Sequence, residues 1–204
     1  MNWHPFEERS QDKKRPPYLE EMGWHRSVRE RRSIDAQGQP LPWYTYPAIS
    51  FLEPRIKSDW SVFEYGSGYS TLWWARHVDR VVSCEHNRIW FDIVSKDVPR
   101  NVTYVNKAVE NGYAQEIFEH REGFDVVIVD GEDRVRCGEN AVKCLKPGGI
   151  IIWDNSELKK YRRLFTSYFQ DLGFRHIDFE GMGPQLDRRW ATTVLYKPYN
   201  CLGL

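Results

Sequence analysis

The sequence has no run approaching the roughly eighteen apolar residues of a membrane span, and its first residues, MNWHPFEERSQDKKRPP, contain no apolar targeting core. Its four cysteines, Cys84, Cys137, Cys144 and Cys201, form neither a C-x-x-C pair nor a zinc-ligand spacing. These absences argue against a membrane protein, a disulfide scaffold and a zinc module; the expectation is a cytoplasmic chain with reduced, packed thiols. An excess of either charge is missing too. Lys plus Arg equals Asp plus Glu at 29 each, so no global field draws the chain toward nucleic acid or an anionic membrane. The basic residues Lys13, Lys14, Arg15, Arg26, Arg29, Arg31 and Arg32 are interrupted by Glu20, Glu21 and Glu30, as on a solvated helix face. No internal repeat is evident.

What is present is an alternation of elements. Residues 1–17 end in Pro16-Pro17 and read as a loosely attached arm; helical patterning follows over Tyr18 to Arg32 and from Ala48 to about Lys57. From Trp60 onward, strands at about 61–65, 80–84, 102–106, 124–130, 149–153, 174–179 and 190–196 alternate with helices at about 70–78, 87–96, 110–119, 134–145 and 157–172. Such alternation predicts an α/β fold, a doubly wound and mostly parallel sheet of seven strands. No helix separates the last two strands, and a glycine- and proline-bearing loop, Gly181 to Arg189, joins them, so the last strand should be antiparallel. The division expected is an N-terminal arm and helical lid over 1–59, with Trp43, Tyr44 and Tyr46 in the lid, and one cofactor-binding domain over 60–204.

The strand at 61–65 breaks into Glu64-Tyr65-Gly66-Ser67-Gly68-Tyr69-Ser70-Thr71, a glycine turn that opens a helix. Glu85 closes the next strand, nineteen residues after Gly66. Glycines let backbone approach a ligand, the helix N-terminus offers free N–H groups, and an acid at that spacing suits ribose hydroxyls. A dinucleotide fingerprint would have a third glycine where Thr71 stands, and pyrophosphate gives no reason for a carboxylate at Glu64. A cationic nucleoside ligand fits both details.

At these residues the chain resembles the class I S-adenosylmethionine-dependent methyltransferases, whose first motif, E-x-G-x-G, stands here as Glu64-Tyr65-Gly66-Ser67-Gly68. The resemblance covers about residues 60–197. It implies S-adenosylmethionine as cofactor. Backbone from Gly66 to Gly68, with Ser70 and Thr71, would meet the methionine portion; Glu64 would take the ammonium and Glu85 the ribose, framed by His86. Lys107 and Ala108 would lie near the adenine.

Two further clusters follow central strands, Asp130-Gly131-Glu132-Asp133 and Asp154-Asn155. Asp130, Asp154 and Asn155 are hard oxygen donors able to hold Mg²⁺, and this pattern is similar to that of catechol O-methyltransferase-like enzymes. The chain departs from that pattern in carrying Asp133 where those enzymes often carry a lysine base. Without metal, Asp130 would be the general base or would orient cofactor or substrate, with Asp133 and Asp154 as further catalytic candidates. The expected reaction is methyl transfer to an oxygen of a small-molecule or sugar-like acceptor. Nucleic acid is disfavoured as acceptor because the Asn/Asp-Pro-Pro-Tyr/Phe element frequent in enzymes acting on its nitrogens is missing after the fourth strand. Two other readings stay open: a cofactor-binding interaction module that has lost catalysis, and a nicotinamide-dependent oxidoreductase. A homodimer is compatible with the sequence, as is docking of the tail 199–204 onto the domain.

Overall fold

The computed structural model describes residues 16–120 and 122–204; the expectations for residues 1–15, including Lys13, Lys14 and Arg15, lie outside the described residues. Seven strands form one sheet: β1 (Ser61–Tyr65), β2 (Arg80–Glu85), β3 (Val102–Asn106), β4 (Phe124–Val129), β5 (Leu145–Asp154), β6 (Arg175–Gly183) and β7 (Leu186–Tyr196). Their order is β3-β2-β1-β4-β5-β7-β6, with β7 antiparallel to both of its neighbours and the other pairings parallel. Strand order reverses between β1 and β4. In open α/β sheets a crevice forms at that reversal, beyond the carboxyl ends of the strands.

Alternation along the central strands assigns side chains to two cores. Val62, Val126, Ile128, Ile150 and Ile152 face one side; Phe63, Tyr65, Val127, Val129, Ile151 and Trp153 face the other. Both faces are covered, which is why these strands read as nearly continuous apolar runs. The first face is covered by α3 (Tyr46–Leu52) and α4 (Tyr69–His77), whose Trp73 and Trp74 are buried there. The second is covered by α6 (Arg134–Cys144) and a helical segment whose Phe165 and Phe169 pack edge-on to Trp153.

Several elements differ from the sequence expectation. The helix expected over 18–32 splits into α1 (Tyr18–Glu21) and α2 (Trp24–Glu30) because Gly23 takes φ +73° between them. A side chain there would collide with the Asp35–Ala36 backbone. α3 starts two residues earlier than the expected Ala48, capped by the Thr45 hydroxyl, which accepts from the Ala48 N–H. Residues 109–119 form two 3₁₀ turns broken at Gly112 (φ +90°) rather than an α-helix. α5 (Arg88–Val94) matches its expectation, whereas residues 159–171 run from a 3₁₀ turn into a π-helical stretch, Leu164–Phe169. The loop expected over 181–189 shrinks to Pro184-Gln185, since β6 and β7 extend to meet it.

Residues between Met22 and Leu52 pack against the sheet. Thr45 donates its backbone N–H to Thr192 Oγ1 (3.0 Å) and its hydroxyl to the Phe179 carbonyl (2.8 Å), while Trp24 Nε1 donates to the Leu186 carbonyl (3.1 Å). Tyr44 and Tyr46 are fully buried in the core shared with β1, β4 and β5. Of the three rings expected in a lid, Trp43 alone reaches the cavity described below. The tail docks onto the domain: Cys201 N–H donates to the Gly148 carbonyl (2.8 Å) and Leu202 is buried.

Candidate active site

The site begins with the glycine turn between β1 and α4. Gly66 and Gly68 have φ of +99° and +145°, conformations that L side chains rarely adopt. A Cβ on Gly66 would press the Asp130 carbonyl at 3.1 Å, so glycine also lets the turn lie directly against the end of β4. The N–H groups of these two glycines are already used within the protein. Gly66 donates to the Cys84 carbonyl (2.9 Å) and Gly68 to Thr71 Oγ1 (3.1 Å). They hold the turn in shape.

Glu64 points to the α4 side of the sheet and is 1% exposed. Its Oε2 accepts from the Thr71 hydroxyl and from Ser83 Oγ (3.2 Å), whereas Oε1 is buried without a hydrogen-bond partner. Burial pushes this carboxyl up to about 7, against the pull of the Ser70, Thr71 and Ser83 hydroxyls and with a further upward push from Asp130. An unpartnered buried carboxylate oxygen is costly unless a ligand donor meets it. Tyr65, by contrast, points into the opposite core, where its hydroxyl donates to the Ala114 carbonyl (2.7 Å); it lies away from the crevice.

Glu85 is buried at the end of β2. Its Oε1 accepts from the Asn87 N–H (2.7 Å) and its Oε2 from Ser67 Oγ (2.7 Å), which also lies 2.7 Å from the Tyr104 hydroxyl. Ser67 thus occupies a carboxylate oxygen that a ribose diol would use. His86 Nδ1 lies 3.2 Å from Glu85 Oε1 without hydrogen-bond geometry, and its ring meets Tyr113 edge-on. Lys107 turns its ammonium to Glu116 (2.6 Å), so its backbone is what it brings to the crevice: its N–H donates to the Glu85 carbonyl, and Ala108 begins the next turn. Tyr113, which the sequence reading did not select, sets its hydroxyl against Gly131 with no partner. Nothing in a lone tyrosine of a 3₁₀ segment signals that position.

Asp130, at the end of β4, and Asp154, at the end of β5, are joined by a residue that the sequence reading also passed over. Arg134 Nη2 donates to Asp130 Oδ1 (3.0 Å), Nη1 donates to the Asp154 carbonyl, and Nε donates to the Gly131 carbonyl (2.8 Å). Its position, four residues after Asp130 in the first turn of α6, was the available signal. Burial pushes Asp130 up to about 6, opposed by Arg134; Asp154 is pushed well above the ordinary range by burial and by Asp130's charge. The Asp154 carboxylate accepts from Thr192 Oγ1 (2.5 Å) and Trp190 Nε1 (3.2 Å). Asp133 turns away, paired with Arg136 (2.7 Å), and lines a neighbouring cavity of about 370 Å³.

At the residues expected to hold magnesium, a guanidinium already stands beside Asp130. Asp154 Oδ1 accepts from two residues of β7, Asn155 sits in a left-handed turn (φ +54°), and Arg134 supplies a positive charge beside Asp130. Among the described residues no three His, Cys, Asp or Glu side chains gather as metal ligands would.

One cavity of about 640 Å³ connects the two halves. Ser67, Trp90 and Asp130 line the side by the glycine turn; Trp43, Asp154, Asn155, Arg188 and Trp190 line the other. Trp90 reaches back over the glycine turn and donates its Nε1–H to the Ser67 carbonyl (3.0 Å). Among the described residues no helix is long and apolar enough to cross a membrane.

A reversed-order sheet with an antiparallel β7, an E-x-G-x-G turn at the switch point and an acid closing β2 together resemble the fold and first motif of the class I S-adenosylmethionine-dependent methyltransferases. Residues 63–156 match a family described as a methyltransferase domain. No curated protein matches the sequence. Among solved structures, an O-methyltransferase from Bacillus cereus in complex with S-adenosylhomocysteine superposes with a TM-score of 0.63 at 18% identity, covering 89% of this chain and 92% of that one. TomG from Streptomyces achromogenes, an O-methyltransferase of tomaymycin synthesis in complex with S-adenosylmethionine, gives 0.60 at 18% identity over 90% and 91%. A putative O-methyltransferase from Klebsiella pneumoniae gives 0.61 at 14% over 91% and 92%. At these identities the likeness is one of fold.

Proposed function

We propose that this protein is an S-adenosylmethionine-dependent methyltransferase acting on an oxygen of a small, ring-bearing acceptor, without a metal ion. The observation that carries the reading is the buried Glu64 beside the glycine turn, whose Oε1 has no hydrogen-bond partner. A carboxylate held there needs a cationic donor, which the α-ammonium of S-adenosylmethionine provides and a pyrophosphate does not. When bound, that cofactor supplies an electrophilic methyl group on a sulfonium.

The chain's own residues would do the rest. Glu64 takes the ammonium, and Glu85 takes the ribose hydroxyls once Ser67 swings off its Oε2. Asp130, whose carboxyl is raised toward neutrality and lines the shared cavity, receives the proton of the acceptor hydroxyl as the oxygen takes the methyl. Arg134 holds Asp130 in place and keeps part of it ionised at neutral pH. Asp154 positions Trp190 as the wall of the acceptor side. Trp43 and Trp90 narrow the mouth and help exclude water.

The decisive experiment is calorimetric titration with S-adenosylmethionine and with NADH, followed by a methyl-transfer assay in chelator against hydroxylated acceptors. Binding of the first and not the second, with turnover in chelator, is expected. Binding without turnover on any acceptor would instead favour a non-catalytic binding module.

A further inference from the structure

The acceptor half of the cavity is written along one face of β7. Leu186, Arg188, Trp190 and Thr192 alternate along the strand, and the first three line the cavity while Thr192 holds Asp154 at its floor. Alternate residues of a strand stand about 7 Å apart. The face therefore runs, in steps of about one ring length, from a hydrogen-bonded acid through an indole to a guanidinium at the rim.

The cations around this cavity differ in what they are doing. Arg134 is held by Asp130 and by carbonyl groups, and Arg189 pairs with Glu180 (3.3 Å). Among the described residues Arg188 pairs with no carboxylate, although it lines the same wall. Of the acids lining the cavity, Glu157 accepts from the Ala191 N–H (3.0 Å) and Asp154 from Thr192 and Trp190, and neither reaches Arg188. Three indoles surround the same space, with Trp43 and Trp90 substantially exposed at 45% and 38% and Trp190 buried against the floor. Such rings offer flat apolar faces to an aromatic ring or to the C–H face of a sugar.

We infer that the acceptor is a hydroxylated ring carrying an anionic group, its ring held against Trp43 above the Trp190 floor and its anion meeting Arg188. The ring sets the reacting hydroxyl near Asp130, and the anion, one ring length away, fixes which hydroxyl that is. This rests on the proposed function and specifies the substrate class of the same site. A guanidinium not neutralised by protein is the group that distinguishes a carboxylated or phosphorylated ring from its neutral counterpart.

The test uses the full chain saturated with S-adenosylhomocysteine and two matched pairs of probes: protocatechuate with its methyl ester, and glucuronate with glucose. Binding is followed by quenching of tryptophan emission and by calorimetry. In at least one pair the acid should bind about tenfold more tightly than its neutral partner. That preference should vanish in Arg188→Gln and reverse in Arg188→Glu, with S-adenosylhomocysteine affinity unchanged in both. The pair that responds distinguishes an aromatic from a sugar acceptor. Equal binding of acid and neutral probe, no binding by either acid, or a preference that survives Arg188→Gln overturns the inference. Failure of S-adenosylhomocysteine to bind overturns the proposed function instead, and the same probes can still be measured against the free protein.

Discussion

Arg134 clasps Asp130 from four residues away: its Nη2 lies 3.0 Å from Asp130 Oδ1, and the same guanidinium reaches across to the carbonyl of Asp154. The ends of β4 and β5 are thereby joined by a fixed positive charge at the place where the sequence alone suggested a metal ion. Charge-assisted bonds of this kind are among the stronger ones available to a side chain.

Arg134→Gln should therefore release Asp130 to its burial. With the guanidinium gone, Asp130 titrates higher, and the acid limb of the pH–rate profile moves up from about 6. Turnover at neutral pH should fall by at least about tenfold while S-adenosylmethionine affinity changes little. An unmoved pH profile would show that Arg134 does not govern Asp130.

Chelation should leave wild-type turnover unchanged, since Arg134 already places a positive charge beside Asp130, and Thr192 and Trp190 hold one oxygen of Asp154. Assays with and without a divalent-cation chelator decide this directly. Loss of activity restored by added magnesium contradicts it.

Glu64 couples cofactor binding to pH. Its carboxyl sits near 7 in the free protein, and an ammonium ligand prefers it ionised. Affinity for S-adenosylmethionine should thus rise with pH up to about 7 and level off above it, with proton release on binding in the acid range. The stability of the free protein should move the other way. Because the folded state binds the proton more tightly than the unfolded chain, the stability from this group is fully present below about 4.5 and is lost as pH rises through about 7. Glu64→Gln should remove both dependences and weaken binding by about 2 kcal/mol, read by calorimetry across pH.

Glu85→Ala should cost a comparable amount of cofactor affinity, on the order of 2 kcal/mol, because both its oxygens are placed for hydrogen bonding. Ser67→Ala should cost less or even tighten binding, since it removes the internal competitor for Oε2. If Ser67→Ala weakens binding as much as Glu85→Ala does, Ser67 is itself a ligand.

Gly138→Ala tests the packing of the second core. In an open helix this change gains about 1 kcal/mol, but here the new Cβ would stand 2.5 Å from the Trp153 ring and 3.2 Å from Phe169. Overpacking of that order costs about 1–3 kcal/mol, so the sign should be a loss, visible as a lower melting temperature.

Much of the fold was legible because its signals are local and periodic. Val126 to Val129 and Ile150 to Trp153 announce central strands by being apolar on both faces, and Glu64 to Gly68 announce the turn by glycine spacing. The missing detail depended on what comes near in space. Gly112 divides residues that carry helical character into 3₁₀ turns, and the π-helical stretch at 164–169 follows packing of Phe165 and Phe169 on Trp153. The same distinction holds in the site. Acids after strands could be named from sequence, but that Asp133 faces Arg136, that Tyr65 faces the opposite core and that Arg134 takes the cation's place are facts of direction. Spacing carries no direction for a residue in a turn.

The way Trp24 and Thr45 fasten themselves to Leu186, Phe179 and Thr192 divides the molecule's labour. The strap that steadies one wall of the cavity comes from before the sheet and the wall itself from its last hairpin, while the glycine turn and its two acids lie between them in the chain. Under the proposed function, substitutions at Trp24, Thr45 and β7 would retune the choice of acceptor and leave the cofactor's place at the glycine turn untouched.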